Sequence, residues 1–238
     1  MSNLTQIIET ELYSLGADLV GFGDLSELPV EVRADMPFGI SVVVVYQPEV
    51  IRGITDLPTQ EYREWYDRLN ERLDTLVMKG AELLRNMGYQ AIAQTRKYVG
   101  SGETSNNTTL PHKTVATRAG IGWIGKSALF VTEKYGSAIR LSSILTNAPL
   151  ETALPVNESR CGDCMICANA CPANAVSGKQ WDVSLYRDEF FDLLKCQKAA
   201  RERSKLGFSG DITICDKCIE ICPYTQRYIN PKRGDSNI

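Results

Sequence analysis

The sequence predicts an α+β protein of two domains: a larger domain over residues 1–155, then a small cysteine-rich domain over 156–228, with a polar tail at 229–238. Two observations predict it. Apolar, β-branched runs alternate with stretches of helical periodicity up to about residue 150, the pattern of an α/β or α+β layer architecture. All eight cysteines then fall between Cys161 and Cys222, beyond an aperiodic segment (149–159) that contains Pro149 and Pro155. With 238 residues, 43% of them hydrophobic and 23% charged, the chain can bury a core of its own.

The elements follow in order. Leu4, Ile7, Ile8, Leu12 and Leu15 recur at helical spacing over residues 2–15, so the chain opens on an amphipathic helix that Gly16 ends. Ala17 to Phe22 reads as a short buried strand turning at Gly23 and Asp24. Ser41 to Tyr46, between Gly39 and Pro48, is continuous and β-branched, as a central strand is. Residues 59–87 hold no proline and one glycine, with Tyr62, Tyr66, Leu69, Leu73, Leu76, Val77, Leu83 and Leu84 in helical register; this is the longest helix. Tyr89 to Tyr98 is a second strand, Gly100 to Asn107 a polar loop, and Pro111 to Ala119 a short helix. Leu129 to Val131 and Ile139 to Leu145 are strands around a turn at Gly136.

The start of the chain has no basic segment followed by an apolar run, and the longest apolar stretch, Ile40 to Tyr46, is too short for a bilayer. Twenty-six basic against 29 acidic residues give a net charge of −3, which argues against bulk capture of nucleic acid or an acidic membrane. A cytoplasmic protein without membrane contact is expected.

The cysteines carry the chemistry. Cys161, Cys164, Cys167 and Cys171-Pro172 form C-x2-C-x2-C-x3-C-P, the bacterial ferredoxin run for 4Fe–4S clusters. Two-residue gaps let a tight turn aim three thiolates at one cubane, while the fourth cysteine lies a helical turn further on and serves the other cluster. Cys215, Cys218 and Cys222-Pro223 repeat the pattern one cysteine short, and solitary Cys196 can supply the missing ligand. The expected pairing is Cys161, Cys164, Cys167 and Cys222 for one cluster, with Cys171, Cys196, Cys215 and Cys218 for the second. No cysteine is left over. Structural zinc spaces its knuckles differently, and stapling disulfides belong to exported chains. Cys196 as a plain buried thiol is the serious alternative.

Gly120-Ile121-Gly122-Trp123-Ile124-Gly125-Lys126-Ser127 satisfies the phosphate-loop pattern G-x4-G-K-[ST]. Such a loop follows a strand and opens a helix. Here a helix precedes it and strand-like residues follow, so nucleotide binding is not expected. A glycine turn that lets backbones pack closely leaves Trp123 and Lys126 without a role.

Ala119-Gly120-Ile121-Gly122-Trp123-Ile124-Gly125-Lys126, then Ile144-Leu145-Thr146-Asn147-Ala148-Pro149-Leu150, then the two cysteine runs, in this order, resemble the epoxyqueuosine reductase family and its shorter relatives over roughly residues 10–226. The resemblance implies a mixed-sheet, cobalamin-binding domain of the nitroreductase and reductive-dehalogenase kind joined to a two-cluster ferredoxin-like module. Gly120, Gly122, Trp123, Gly125, Lys126 and Ser127 would bind the cofactor. The clusters would pass single electrons to a base-off corrinoid whose low-valent cobalt reduces a small-molecule substrate. Two departures stand out. The queuosine enzymes carry an Asp-Ser-Ala-Pro-type segment whose aspartate donates a proton, whereas the matching residues here, Ser105 to Lys113, include no carboxylate. The helical-repeat extension that binds tRNA is also missing. Transfer RNA is therefore not the expected partner, and a non-enzymatic electron carrier and epoxyqueuosine reduction in tRNA are the alternatives.

His112 is the only histidine, and with Lys113 it is a candidate for catalysis by proton donation or substrate contact, since an unperturbed imidazole titrates near neutrality. A hydrogen-bonded structural histidine is the plainer reading. Tyr98 and Ser105 are candidates for the same cavity wall. Five cations against one acid over Lys195 to Lys205 suit docking of an electron donor such as a ferredoxin or flavodoxin; a solvated helix face is the alternative.

Overall fold

A computed structural model describes residues 3–99 and 109–231; the polar loop expected at Gly100–Asn107 lies outside them, and so does Ser105. The elements run α1 (Asn3–Ser14), β1 (Leu19–Asp24), β2 (Phe38–Val45), α2 (Pro48–Arg52), α3 (Gln60–Asn86), β3 (Ala91–Ala93), α4 (His112–Arg118), β4 (Trp123–Ile124), β5 (Phe130–Val131) and β6 (Ile139–Thr146). The cysteine-rich part adds α5 (Ile166–Asn169), a 3-10 turn at Arg187–Glu189, α6 (Leu193–Phe208), α7 (Lys217–Glu220) and α8 (Pro223–Ile229). None of the described helices is long and apolar enough to cross a membrane.

The chain forms two compact units. One comprises Met1–Val44, Arg68–Gly122 and Arg140–Val156, the other Val45–Asp67, Trp123–Ile139 and Asn157–Ile238. The last crossing between the units falls at Val156 and Asn157, and two earlier segments, Val45–Asp67 and Trp123–Ile139, group with the cysteines.

The first unit is built on a four-stranded sheet of order β1-β2-β6-β3. β1 and β2 are antiparallel, from Leu19 opposite Val43 to Asp24 opposite Phe38, and β3 runs antiparallel to β6 with Ala91 opposite Thr146. β2 is central, and its unbroken apolar sequence fits that place: Ile40, Val42, Val43 and Val44 are fully buried. α1 buries Ile8 and Leu12, and α3 buries Leu69, Leu73, Leu76, Val77 and Leu84, one stripe at helical spacing. β1 starts later than Ala17 because Gly16 and Ala17 still donate to Tyr13 and Leu12 as the chain leaves α1. β3 stops early because Asp74 takes both the backbone N–H and the guanidinium of Arg96, at 2.9 Å each, and Tyr98 turns back onto Thr95.

In the second unit the residues after β2 pack on the last helix. The rings of Tyr46 and Tyr62 stack at 4.9 Å. The Tyr228 hydroxyl donates to the Tyr46 carbonyl at 2.9 Å, and the Arg52 guanidinium donates to the carbonyl of Ile229. Lys217 Nζ donates to the Thr55 carbonyl at 2.7 Å, which ties α7 to the loop after α2. Ala128, Ala175, Val176, Trp181, Phe190 and Phe191 form a small apolar core against which Cys167, Cys171 and Cys196 pack.

Candidate functional site

The two cysteine runs are one local design used twice. In the first, Met165 caps the four-residue α5 and the chain leaves through Ala170 into Cys171-Pro172. In the second, Asp216 caps the four-residue α7 and the chain leaves through Ile221 into Cys222-Pro223. Each turn of helix follows a cysteine and carries another, Cys167 or Cys218. Proline after the final cysteine has no N–H to extend the turn, and Pro223 instead starts α8.

Cys196 arrives by a different route. Asp192 caps α6 by accepting the Lys195 N–H at 3.0 Å, which sets the first turn that holds Cys196. Ser204, fully buried on the same helix, lies 2.7 Å from the Gly210 carbonyl and 2.8 Å from that of Ile212, and accepts the Ile212 N–H at 3.3 Å. That knot fastens the loop leading into Cys215. Nothing in the periodicity of α6 announces it. Of the five cations on this stretch, Lys195 pairs with Asp192, Arg201 and Lys205 pair with Asp211, and Arg203 donates to the Asp56 carbonyl. Much of the charge expected to dock a donor is therefore compensated within the chain.

All eight thiols are free and partly covered. Burial pushes the Cys167 thiol up to about 11, and Cys161, Cys222 and Cys164 add to the rise. Burial also pushes Cys196 up to about 11, with Cys215 and Cys171 the next contributors. Cys218 is driven well above its ordinary range by burial, then by Asp216, Cys215, Cys196 and Cys167. The thiols that feel one another thus sort into two neighbourhoods, which approach each other at Cys167 and Cys218. Thiolates so placed repel unless a cationic metal centre lies among them. Among the described residues no three His, Cys, Asp or Glu side chains converge closely enough for a single metal ion; thiolates on separate irons of a cluster stand further apart than thiolates on one ion.

The glycine motif is divided. Gly120 and Gly122 belong to the first unit, and Trp123, Gly125, Lys126 and Ser127 to the second. In the second unit, Trp123 opposes Val131 and Ile124 opposes Phe130, and Gly125 accepts from Ala128 at 2.9 Å to close a hairpin turn. No helix follows, so the phosphate-loop geometry is absent. A Cβ on Gly125 would lie 3.0 Å from Val131 Cγ2 and 3.6 Å from Cys161 Sγ, so the turn passes close beside the first cysteine. Lys126 and Ser127 are buried, at 4% and 7% exposure. Trp123 is fully buried, edge-on to Tyr224 at 4.8 Å and under the Arg160 guanidinium at 5.6 Å. Its indole N–H has no acceptor among the described residues. Arg160 and Tyr224 were not singled out in the sequence; adjacency to Cys161 and Cys222 was the available signal.

In the first unit, Tyr98 lines a cavity of about 260 Å³ with Gln94, Thr109 and Leu110. His112 opens α4, with Lys113 next to it, and its Nδ1 lies 2.8 Å from Ser143 Oγ. Burial, helped by the Arg140 charge and opposed by Asp74, pushes the imidazole from 6.5 down to about 4. The ring is therefore neutral at pH 7, a hydrogen-bonding group rather than a store of an acidic proton. Because the folded pKa lies below the unfolded one, the stability this contributes is present above pH 6.5 and is lost as pH falls through 4. Allowing for partial exposure, it amounts to about 2 kcal/mol. Urea unfolding of the wild type should lose that much more between pH 7 and pH 4 than unfolding of His112→Gln; equal losses would refute the assignment.

Comparison with known proteins adds the following. Residues 160–225 match the family model described as a 4Fe-4S double cluster binding domain. Over 161 residues the chain is 31% identical to the epoxyqueuosine reductase of Bacillus subtilis (strain 168), an alignment covering 68% of this chain and 38% of that protein. The chain thus spans well under half the length of that relative. Among solved structures, its fold resembles that of a reductive dehalogenase whose structure suggests a mechanism for B12-dependent dehalogenation, with a TM-score of 0.69 at 19% identity over 91% of this chain and 31% of that one. It also resembles epoxyqueuosine reductase solved with an epoxyqueuosine-modified tRNA-Tyr stem loop, with a TM-score of 0.61 at 21% identity over 96% of this chain and 68% of that one.

Proposed function

We propose, for a chain that is a homologue of the epoxyqueuosine reductases and carries a 4Fe–4S double cluster binding domain, that it is an iron–sulfur reductase whose clusters pass electrons to a bound corrinoid, which in turn reduces a small-molecule substrate. Cys161, Cys164, Cys167 and Cys222 hold one 4Fe–4S cluster; Cys171, Cys196, Cys215 and Cys218 hold the second. A single observation carries this assignment: the mutual influence of the thiols sorts them along the same division that their spacing predicts. The quartets suit the groups they would hold. They are partly covered, and Cys171 Sγ already accepts the Ala175 N–H at 3.3 Å, a bond that stabilises a thiolate ligand. Cys167 and Cys218 mark the place where the two neighbourhoods meet and hence the route between them.

For the corrinoid, the matching feature is the buried indole N–H of Trp123, which lacks an acceptor that a cofactor amide carbonyl would supply. Lys126 and Ser127, in the same hairpin, are also covered by protein. Once bound, the corrinoid contributes low-valent cobalt as the reductant. The chain contributes an electron path, a neutral His112 able to hydrogen-bond, and a covered hairpin.

Anaerobically purified full chain should contain about eight irons and should change the visible spectrum of added cobalamin with a Kd at or below the micromolar range. Trp123→Phe should weaken that binding about tenfold, the worth of one buried hydrogen bond. Iron-poor protein would overturn the reading at its base. A full iron complement with no response from cobalamin would leave an electron carrier. An epoxyqueuosine-modified RNA belongs among the substrates offered, since a solved structure of similar fold was obtained with such a stem loop.

A further inference from the structure

We infer that Lys126 is a built-in cation that raises the reduction potential of the cluster held by Cys161, Cys164, Cys167 and Cys222, an inference resting on the ligand assignment just proposed. Lys126 is only 4% exposed, yet its one hydrogen-bond partner among the described residues is the Met165 thioether, 3.8 Å from Nζ. A thioether is a weak acceptor. An ammonium group buried without a counter-charge is costly enough that proteins rarely leave one so. The missing negative charge is therefore to be sought beside it.

Geometry says where. Met165 lies between Cys164 and Cys167, so the thioether that meets the ammonium group is carried by the first cysteine run. The residue before the lysine, Gly125, passes so close that a Cβ there would lie 3.6 Å from Cys161 Sγ. The backbone just before Lys126 and the thioether that meets its ammonium group thus both adjoin the first cysteine run. The hairpin turn that carries it is closed by the Ala128 N–H on the Gly125 carbonyl at 2.9 Å, with Ala128 in the left-handed region at φ 59°, so the lysine is held by backbone bonds rather than swinging on a loop. A four-thiolate 4Fe–4S centre is anionic when oxidised and gains one further negative charge when reduced. It meets the need of the buried ammonium in either state and meets it better in the reduced one.

The motif that imitated a phosphate loop acquires a meaning here. Glycine for close approach and lysine for charge are the tools of anion binding, and the anion is a cluster. A fixed, buried cation close to a redox centre favours the state with the extra electron. Lys126 is a positioning residue in this sense, acting through the field and ligating nothing.

The test is an anaerobic redox titration of the full chain with both clusters loaded, using titanium(III) citrate as the one-electron donor and following the clusters by EPR. Lys126→Met should lower the reduced-to-oxidised ratio of one cluster about tenfold at fixed poise, equivalent to about 59 mV for one electron. The other cluster should move far less. Lys126→Arg, which keeps the charge, should titrate as the wild type does. Potentials unmoved in Lys126→Met, or moved equally in Lys126→Arg, would overturn the inference. If Lys126→Met fails to take up iron, Lys126→Gln supplies the neutral arm. Wild-type protein with fewer than two clusters would sink the ligand assignment instead, so the two failures are told apart by iron analysis.

Discussion

Replacing Cys196 by alanine should leave the chain with about half its iron, roughly four atoms of eight. Cys196 lies 25 residues beyond Cys171 and 19 before Cys215, and it is delivered by the first turn of α6, which the Asp192 cap sets. Its closest influences among the thiols are Cys215 and Cys171, both assigned to the second cluster. Removing it opens one corner of that cluster and leaves the first quartet complete. Iron and sulfide analysis of anaerobic protein reads the outcome, and EPR of the reduced sample should show one cluster signal. If Cys196 were a plain buried thiol, alanine would cost about 1 kcal/mol of packing and the iron content would not change. That result would break the assignment.

The second large effect is expected far from any cysteine in sequence. Gly136 sits at φ 57°, where an L side chain is strained, and a Cβ there would come 2.2 Å from the backbone nitrogen of Thr225. Thr225 is on α8, three residues past Cys222, and its hydroxyl accepts the Ser137 N–H at 3.1 Å. Backbone cannot yield as a side-chain tip can, so Gly136→Ala must displace the start of α8. The conformational cost is of order 1–2 kcal/mol, and the collision raises the total to about 3 kcal/mol or more. For a chain of this size that lowers the melting midpoint by about 6–12 °C. Cys222 moves with α8, so the cluster lost first should be the one that Cys196→Ala spares. A variant with wild-type melting and full iron would show that the contact is not needed.

How much of this was legible follows from the range of the interactions involved. α3, β2, β6 and α4 lie within a few residues of their expected positions, because each is written as a local period. α2 was missed: it is five residues long, and its buried Val50 and Ile51 belong to a segment whose partners, Ile229 and Asn230, come some 180 residues later. The pairing of Trp123 with Val131 was missed for a related reason, since two-residue strands carry no pattern. In the candidate site the double-cluster domain was readable from the cysteine spacing, and the proposed division into quartets rests on that spacing and on the absence of a leftover thiol. Lys126 was not. A motif states which residue types occur, and only the fold shows that this lysine is covered and turned toward Met165. The neutral state of His112 was equally hidden, since it depends on burial and on Arg140 and Asp74, which lie elsewhere in the chain.

The composition of the second unit constrains how such a chain can be made. Its three stretches, Val45–Asp67, Trp123–Ile139 and Asn157–Ile238, leave the ribosome at widely separated times. Apolar groups such as Ile51, Tyr62 and Trp123 emerge early, and their docking surface is completed only when α8 has been synthesised. Completion of the proposed first cluster thereby waits until Cys222 and α8 have been synthesised. A fragment beginning at residue 157, expressed to isolate the ferredoxin-like half, would lack the scaffold on which Cys218 and Cys222 are set and should precipitate rather than turn brown.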